Sequence, residues 1–289
     1  MRIVAFVRCC LRIFVDSGSS IKQEEKEQCG VEILPLHITL GDREYLDGID
    51  LSMDIFYKAL IEEKLFPTTS LPSLGEADER VTRYTQQGDD VIILTISSGI
   101  SGTYNTLKML FADNPKVRVI DSKSAVGGMR ILVEEINRHR DESLDELERR
   151  LLDLIPRIRV CAIPETLDYL QRGGRLSKTA WVFGSMLQLK PLISLDSSDG
   201  GVKVLGKVRG LKKAMQTLAD YLAKCDCDPN YPIVPSYTYN SDNLDALIGM
   251  TDERYHKQMI GYDNLDPAIA CHWGPNAFGY IFVAGNDNR

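Results

Sequence analysis

The sequence predicts a two-domain α/β protein, with a parallel sheet covered by helices on its faces in the first domain and a mixed α/β arrangement in the second. Three observations lead there. The first half alternates short apolar runs with helical periodicity, which is typical of a parallel sheet with crossover helices. The clearest strand, residues 91–96, is apolar on both faces, as in the centre of such a sheet. A chain of 289 residues is also longer than one core usually organises.

The first half places its elements in a regular order. Residues 11–15 form an apolar strand that ends in a small polar loop, and residues 31–38 form a second apolar run. Gly41-Asp42 then turns the chain back toward Tyr45. Apolar residues at 53, 56, 57, 60 and 61 indicate an amphipathic helix capped by Asp50 or Ser52.

The rest of the first half repeats the pattern. A helix follows the 91–96 strand, residues 117–121 form a strand, and residues 129–136 form the next helix. Ser143 and Glu146 have capping-box spacing before a further apolar helical stripe.

The second half changes character. We expect a strand at 160–163, a hairpin of 192–195 with 202–208, a helix over 211–222, and closing strands at 268–272 and 280–283. We place the domains at 1–157 and 158–289.

Composition narrows the class of function. The formal net charge of −7 argues against a nucleic-acid binder. The seven cysteines are scattered and show neither zinc-binding spacing nor a C-x-x-C pair, so no metal site is expected. We expect them to be reduced thiols in a cytoplasmic protein. Residues 1–15 lack a cleavage signal, and no run of about 18 apolar residues occurs, so neither secretion nor stable membrane insertion is expected.

Short hydroxyl side chains mark a candidate anion site. Ser97 and Ser98 follow the strand at 91–96, and Thr69 and Ser70 form a second hydroxyl cluster. Ligands of open α/β sheets lie at the carboxyl ends of the strands, and a following helix start favours an anion. The alternative is that these residues only cap helices.

His272 is the histidine best placed for a role in the site. It ends the expected strand at 268–272 and enters the turn Trp273-Gly274-Pro275. A packed structural histidine is the alternative. Arg175, Lys207 and Arg209 are basic residues in an acidic chain, and they are either solvated or form a docking patch for a phosphate or an acidic partner.

Other sites of chemistry lack support. The sequence has no phosphate-binding loop of the G-x-x-x-x-G-K-[ST] type and no G-x-G-x-x-G after the first strand. Residues 99–102 match a nucleophile elbow only in part.

The ordered set of motifs resembles the DegV family. The matching segments run from about residue 11 to the end of the chain: Asp16-Ser17, ILPL at 33–36, YLDG at 45–48, TSLPS at 69–73, SSGISGTY at 97–104, TLDYLQRGGR at 166–175, Lys190-Pro191, KVRG at 207–210 and HWGP at 272–275. Two positions depart from the family pattern. Leu71 stands where Gln is common, and Asn276 replaces a second Gly, either limiting backbone approach to a ligand or adopting the left-handed conformation that Asn tolerates.

This resemblance implies a lipid carrier without catalysis of its own. A long-chain fatty acid such as palmitate or oleate would lie in a buried tunnel between the domains, with no other cofactor. Thr69, Ser70, Ser97, Ser98 and His272 would hold its carboxylate. The family includes the binding subunit of bacterial fatty-acid kinase, which implies a role in phospholipid metabolism. Arg175, Lys207 and Arg209 would then meet the kinase catalytic subunit or the acyl phosphate.

Two alternatives stay open from the sequence. One is a serine-dependent acyl hydrolase using Ser97, Ser98 or Ser101 with His272, although no triad acid is identifiable. The other is a lipid-sensing regulatory module without a kinase partner.

Overall fold

The computed structural model describes residues 10–176, 189–195, 198–261 and 263–285. The sequence expectations for residues 1–9 therefore lie outside the described residues. The strands in this part of the chain are β1 (Leu11–Asp16), β2 (Val31–Leu34), β3 (His37–Leu40), β4 (Arg43–Leu46), β5 (Thr68–Ser70), β6 (Asp90–Thr95), β7 (Val117–Asp121), β8 (Ile158–Ile163), β9 (Leu189–Leu195), β10 (Val202–Arg209), β11 (Val234–Tyr237), β12 (Asp263–Asn264) and β13 (Phe278–Val283).

Helices connect and cover these strands. The α-helices in the described residues are α1 (Lys26–Cys29), α2 (Met53–Tyr57), α3 (Leu74–Gln86), α4 (Thr103–Leu110), α5 (Gly127–Arg138), α6 (Leu144–Leu154), α7 (Asp168–Arg172), α8 (Leu211–Cys225), α9 (Asp242–Ile248) and α10 (Pro267–Trp273). Among them, no helix combines the length and the apolar character needed to cross a bilayer.

Four parallel strands form the sheet of the first half, in the order β2-β1-β6-β7. Val15 pairs with Leu94, and Leu94 pairs with Ile120. The central strands are buried on both sides, because helices cover both faces of the sheet. The parallel sheet predicted from the alternating pattern is confirmed.

The second large sheet has six strands of mixed direction, in the order β10-β9-β8-β13-β11-β12. Only β11 and β12 run parallel; the other neighbours are antiparallel. The predicted hairpin is the β9–β10 pair, with a register shift between Val204 and Gly206. Residues 196 and 197 of its turn lie outside the described residues. The expected mixed α/β character of the second half is confirmed.

A small antiparallel sheet, in the order β4-β3-β5, carries part of the candidate site. The run at 31–38, read as one apolar segment, is split between β2 and β3 because Pro35 has no N–H for a ladder. The predicted turn at Gly41 is present, with φ +62° at that residue. Of the two caps proposed for α2, Ser52 is the one whose hydroxyl accepts from the Ile55 N–H.

The segment at 268–272 was expected to be a strand, and that expectation is wrong. It belongs to α10, which starts with Pro267 in its first turn and ends at Gly274, where φ is +74°. Pro favours the first helical turn, and Gly favours a positive φ at a helix end. A short run that is apolar on all sides looks the same for a buried helix and a buried strand.

One hydrophobic cluster extends through both large sheets. It includes Ile13 and Ile92 of the parallel sheet and Val160 and Ile281 of the mixed sheet, with the apolar side of α5 between them. The division into domains at 157 and 158 stays a prediction. What the structure adds is that the two halves share a core.

Candidate functional site

A cavity of about 220 Å³ lies at the carboxyl ends of the parallel strands. Its apolar lining includes Leu36, Ile96, Ala125, Ile269 and Trp273. These residues come from the loops that follow β2, β6 and β7 and from α10, so the cavity is bounded by both halves of the chain. The position agrees with the rule that ligands of open α/β sheets bind beyond the carboxyl ends of the strands.

The lining also includes five polar side chains. They are Thr69, Ser70, Ser101, Arg175 and His272. Ser70 is exposed, which marks where the polar part of the cavity meets solvent. The cavity therefore combines apolar walls with a polar group of hydroxyls, one imidazole and one guanidinium.

Thr69 and His272 form the central contact of the polar group. Thr69 Oγ1 lies 2.8 Å from His272 Nε2. The small sheet fixes Thr69 by pairing it with Ile38, and α10, which packs on β3 and β5, presents His272 from its last turn. Two elements 203 residues apart in sequence thus meet at one hydrogen bond.

His272 is neutral in this environment. Burial, together with the nearby positive charge of Arg175, lowers its pKa to about 3. Its Nδ1 atom is buried without a hydrogen-bond partner, and a Cβ on Gly173 would lie only 2.3 Å from it. A lone pair is less costly to leave unpaired there than an N–H, so we assign the proton to Nε2.

This tautomer determines what Thr69 offers the cavity. With the Nε2–H donating to Thr69 Oγ1, the threonine hydroxyl hydrogen is available to a ligand acceptor. Ser101 adds a second hydroxyl at the start of α4, where its Oγ accepts from the Thr103 N–H at 3.3 Å and lies 2.9 Å from Thr103 Oγ1. The polar group is thus equipped to donate hydrogen bonds to an anion.

Ser97 and Ser98 are close in sequence to the lining residues Ile96 and Ile100, but neither of the two serines is among the described residues that line the cavity. Ser97 is fully buried, and its hydroxyl donates to the Gly200 carbonyl at 2.8 Å. Ser98 Oγ accepts from Lys123 Nζ at 3.0 Å. The helix after them begins only at Thr103, so Ser101 is the serine nearest to the helix start. In the sequence, Ser101 was a candidate nucleophile only.

Of the three basic residues singled out in the sequence, Arg175 lines the cavity. It is half-buried and donates from Nε to the Ile100 carbonyl at 2.9 Å and from Nη1 to the Gly173 carbonyl at 2.6 Å. Desolvation lowers its pKa from the ordinary arginine value. Lys207 and Arg209 lie on β10, where Arg209 is exposed, and neither is among the residues that line the cavity.

The described serines do not form a nucleophile–base pair with His272, whose Nε2 is engaged by Thr69. Ser98 contacts Lys123, whose Nζ also lies 3.0 Å from Asp121 Oδ2. Among the described residues no cluster of His, Cys, Asp and Glu could hold a metal ion.

Solved structures with this fold include fatty-acid-binding proteins. The chain is similar to a fatty-acid-binding DegV family protein from Streptococcus agalactiae (TM-score 0.86, 25% identity, 96% of this chain and 100% of that one). It is also similar to a DegV family protein from Thermus thermophilus described for fatty acid binding (0.80, 27%, 96% and 100%). A third structure is a stearic acid-binding protein from Eubacterium ventriosum (0.82, 25%, 95% and 98%).

Sequence comparison gives the same family. A DegV domain-containing protein of Caldanaerobacter subterraneus subsp. tengcongensis is 36% identical over 277 residues, which cover 94% of this chain and 98% of that protein. The family model described as "Uncharacterised protein, DegV family" matches residues 10–285. A match of this extent takes in both large sheets and every residue of the cavity, and the chain belongs to the DegV family.

Proposed function

We propose that this protein binds a long-chain fatty acid, such as palmitate or oleate, with the acyl chain in the cavity between the two large sheets. The observation that carries the proposal is the combination, in one cavity, of apolar walls with a polar group of hydrogen-bond donors. The related proteins from Streptococcus agalactiae and Eubacterium ventriosum, described as binding fatty acid and stearic acid, support it.

The energetics favour tight retention. Burying an acyl chain gains about 0.8 kcal/mol per CH₂, so a C16 chain gains roughly 10 kcal/mol before ordering costs. A buried carboxylate without hydrogen bonds would lose much of that gain. Donors at the polar group are therefore as necessary as the apolar walls.

We assign the binding of the carboxylate to Thr69, Ser70, Ser101 and His272. Ser101 replaces Ser97 and Ser98, which the sequence had suggested for this role. The argument is the geometry of the lining residues. His272 acts through Thr69, since its Nε2–H fixes the threonine oxygen and leaves the threonine hydrogen for the ligand. Arg175 supplies the positive charge beside a head group that carries negative charge.

The role of the bound acid is also part of the proposal. We infer a non-catalytic, cytoplasmic subunit that presents the carboxylate to a separate fatty-acid kinase, which forms an acyl phosphate for phospholipid metabolism. The six cysteines in the described residues form no disulfide, which agrees with a reducing compartment. Arg175 at the cavity, with Lys207 and Arg209 on β10, is where we expect the kinase or the acyl phosphate to make contact.

Lipid extraction and native mass spectrometry test the ligand. We expect the purified protein to carry one fatty acid that leaves only on denaturation. Thr69→Val should weaken palmitate binding by about tenfold in calorimetry, because one donor to the carboxylate is lost. Thr68→Val on the same strand, at an exposed position, is the matched control. An empty protein that stays empty with palmitate and oleate would contradict the proposal.

The kinase step needs its own experiment. Acyl phosphate should appear only when ATP, a fatty-acid kinase catalytic subunit and the palmitate-loaded protein are combined. Replacing Arg209 by Glu should lower that rate without changing palmitate affinity, since Arg209 is exposed and outside the cavity lining. Palmitate binding without any kinase-dependent product would favour a lipid-sensing module.

A further inference from the structure

The β9–β10 hairpin of the mixed sheet touches the loop between β6 and α4 of the parallel sheet. Ser97 Oγ, fully buried, donates to the Gly200 carbonyl at 2.8 Å and accepts from the Gly99 N–H at 3.1 Å. Lys123 Nζ lies 3.4 Å from the Asp199 carbonyl oxygen. We call this contact, formed by Ser97, Gly99, Lys123 and residues 199–201, the hairpin contact.

The hairpin contact is close enough to require glycine on both sides. A Cβ on Gly99 would lie 2.3 Å from the carbonyl carbon of Gly200, and a Cβ on Gly200 would lie 1.9 Å from Ser97 Oγ. Gly200 also has φ +75°. Backbone packs directly on backbone here, and the Ser97 hydroxyl links the two segments.

The residues on either side of the hairpin contact line the cavity. Leu195 ends β9 and Val202 begins β10, and both are lining residues. On the other side, Ile100 and Ser101 follow Gly99 directly and also line it. The hairpin contact therefore holds one wall of the cavity against another.

We propose that the hairpin contact controls ligand exchange, and that Ser97 is a positioning residue that keeps it closed rather than a ligand of the carboxylate. This inference rests on the proposed function, because it needs a bound ligand. Separating the two walls would open a wider path for an acyl chain, and the hydrogen bond from Ser97 and the close glycine packing oppose that separation.

Exchange kinetics with radiolabelled palmitate distinguish the two roles of Ser97. We expect Ser97→Ala to raise both the association and the dissociation rate by about fivefold, the effect of losing one hydrogen bond, with Kd nearly unchanged. Gly200→Ala should act in the same direction by forcing the contact apart. Gly206→Ala on β10 is the matched control, since a Cβ there meets nothing within 4 Å. Thr69→Val should raise the dissociation rate alone.

The outcomes separate this inference from the proposed function. If Ser97→Ala raises only the dissociation rate, as Thr69→Val does, Ser97 holds the carboxylate and the inference is overturned. Palmitate binding with exchange rates unchanged in Ser97→Ala also overturns it and leaves the proposed function in place. Failure of the unaltered protein to bind palmitate overturns both.

Discussion

His272 is a part-buried neutral imidazole, and this has a consequence for stability against pH. Its pKa is about 3 in the folded protein and 6.5 in an unfolded chain. Between these values the unfolded state binds a proton that the folded state does not, so stability falls as pH falls. Asp16 and Asp47, whose pKa values burial raises to about 7, act in the opposite direction.

Comparing the unaltered protein with His272→Gln isolates the contribution of His272 to the pH dependence of stability, because Asp16 and Asp47 are present in both proteins. From pH 7 to pH 5 we expect the unaltered protein to lose roughly 2 kcal/mol more of its unfolding free energy than the variant does. Urea unfolding at the two pH values measures the difference. Equal losses would mean that His272 takes up its proton in the folded state at an ordinary pKa.

Gly173 lies against the imidazole and leaves no space for a side chain. The Cβ of Gly173→Ala would lie 2.3 Å from His272 Nδ1, so the ring must shift and the contact with Thr69 must lengthen. We expect palmitate affinity to fall about tenfold, the loss of one good hydrogen bond. Gly75→Ala, where a Cβ meets nothing within 4 Å, should leave affinity unchanged.

At the scale of single elements, α6 shows how strongly local sequence can define a helix end. Ser143 and Glu146 form the reciprocal capping box that their spacing predicts, and the apolar stripe of α6 is buried. We expect Ser143→Ala to lower the unfolding free energy by about 1 kcal/mol. Ser241→Ala is the control, because Ser241 caps α9 without a side-chain hydrogen bond and should change stability little. Palmitate binding should be unaffected, since α6 does not line the cavity.

Element type was less predictable where an element is buried on every side. The segment at 268–272 has no polar face to reveal a period of 3.6 or 2, and it proved to be helix. Pro267 was the available signal. Whether this segment is helix or strand matters at the site. In the helix, His272 follows Ile269 by about one turn, so both residues line the cavity and His272 contacts Thr69.

At the scale of the whole molecule, the shared core predicts cooperative unfolding. Ile13, Val160 and Ile281 belong to one buried cluster that joins the two large sheets. Separating the halves would expose that surface to water, so neither sheet gains by persisting alone. We expect a single transition in guanidinium, with coincident curves for far-UV circular dichroism and tryptophan fluorescence. Two resolved transitions would instead favour independent domains divided near residue 157.

The sequence by itself determined the parallel sheet, the β9–β10 hairpin, most helices and the family, because these depend on local periodicity, caps, turns and the order of motifs. It also identified Thr69, Ser70, Arg175 and His272 as residues of interest. Tertiary structure alone decided which of them share a cavity, and it brought in Ser101 while directing the Ser97 hydroxyl to Gly200. The physical reason is that a side chain's direction is set by contacts with distant segments, which no local pattern encodes. Ser97 and Gly200, for example, are 103 positions apart in the chain.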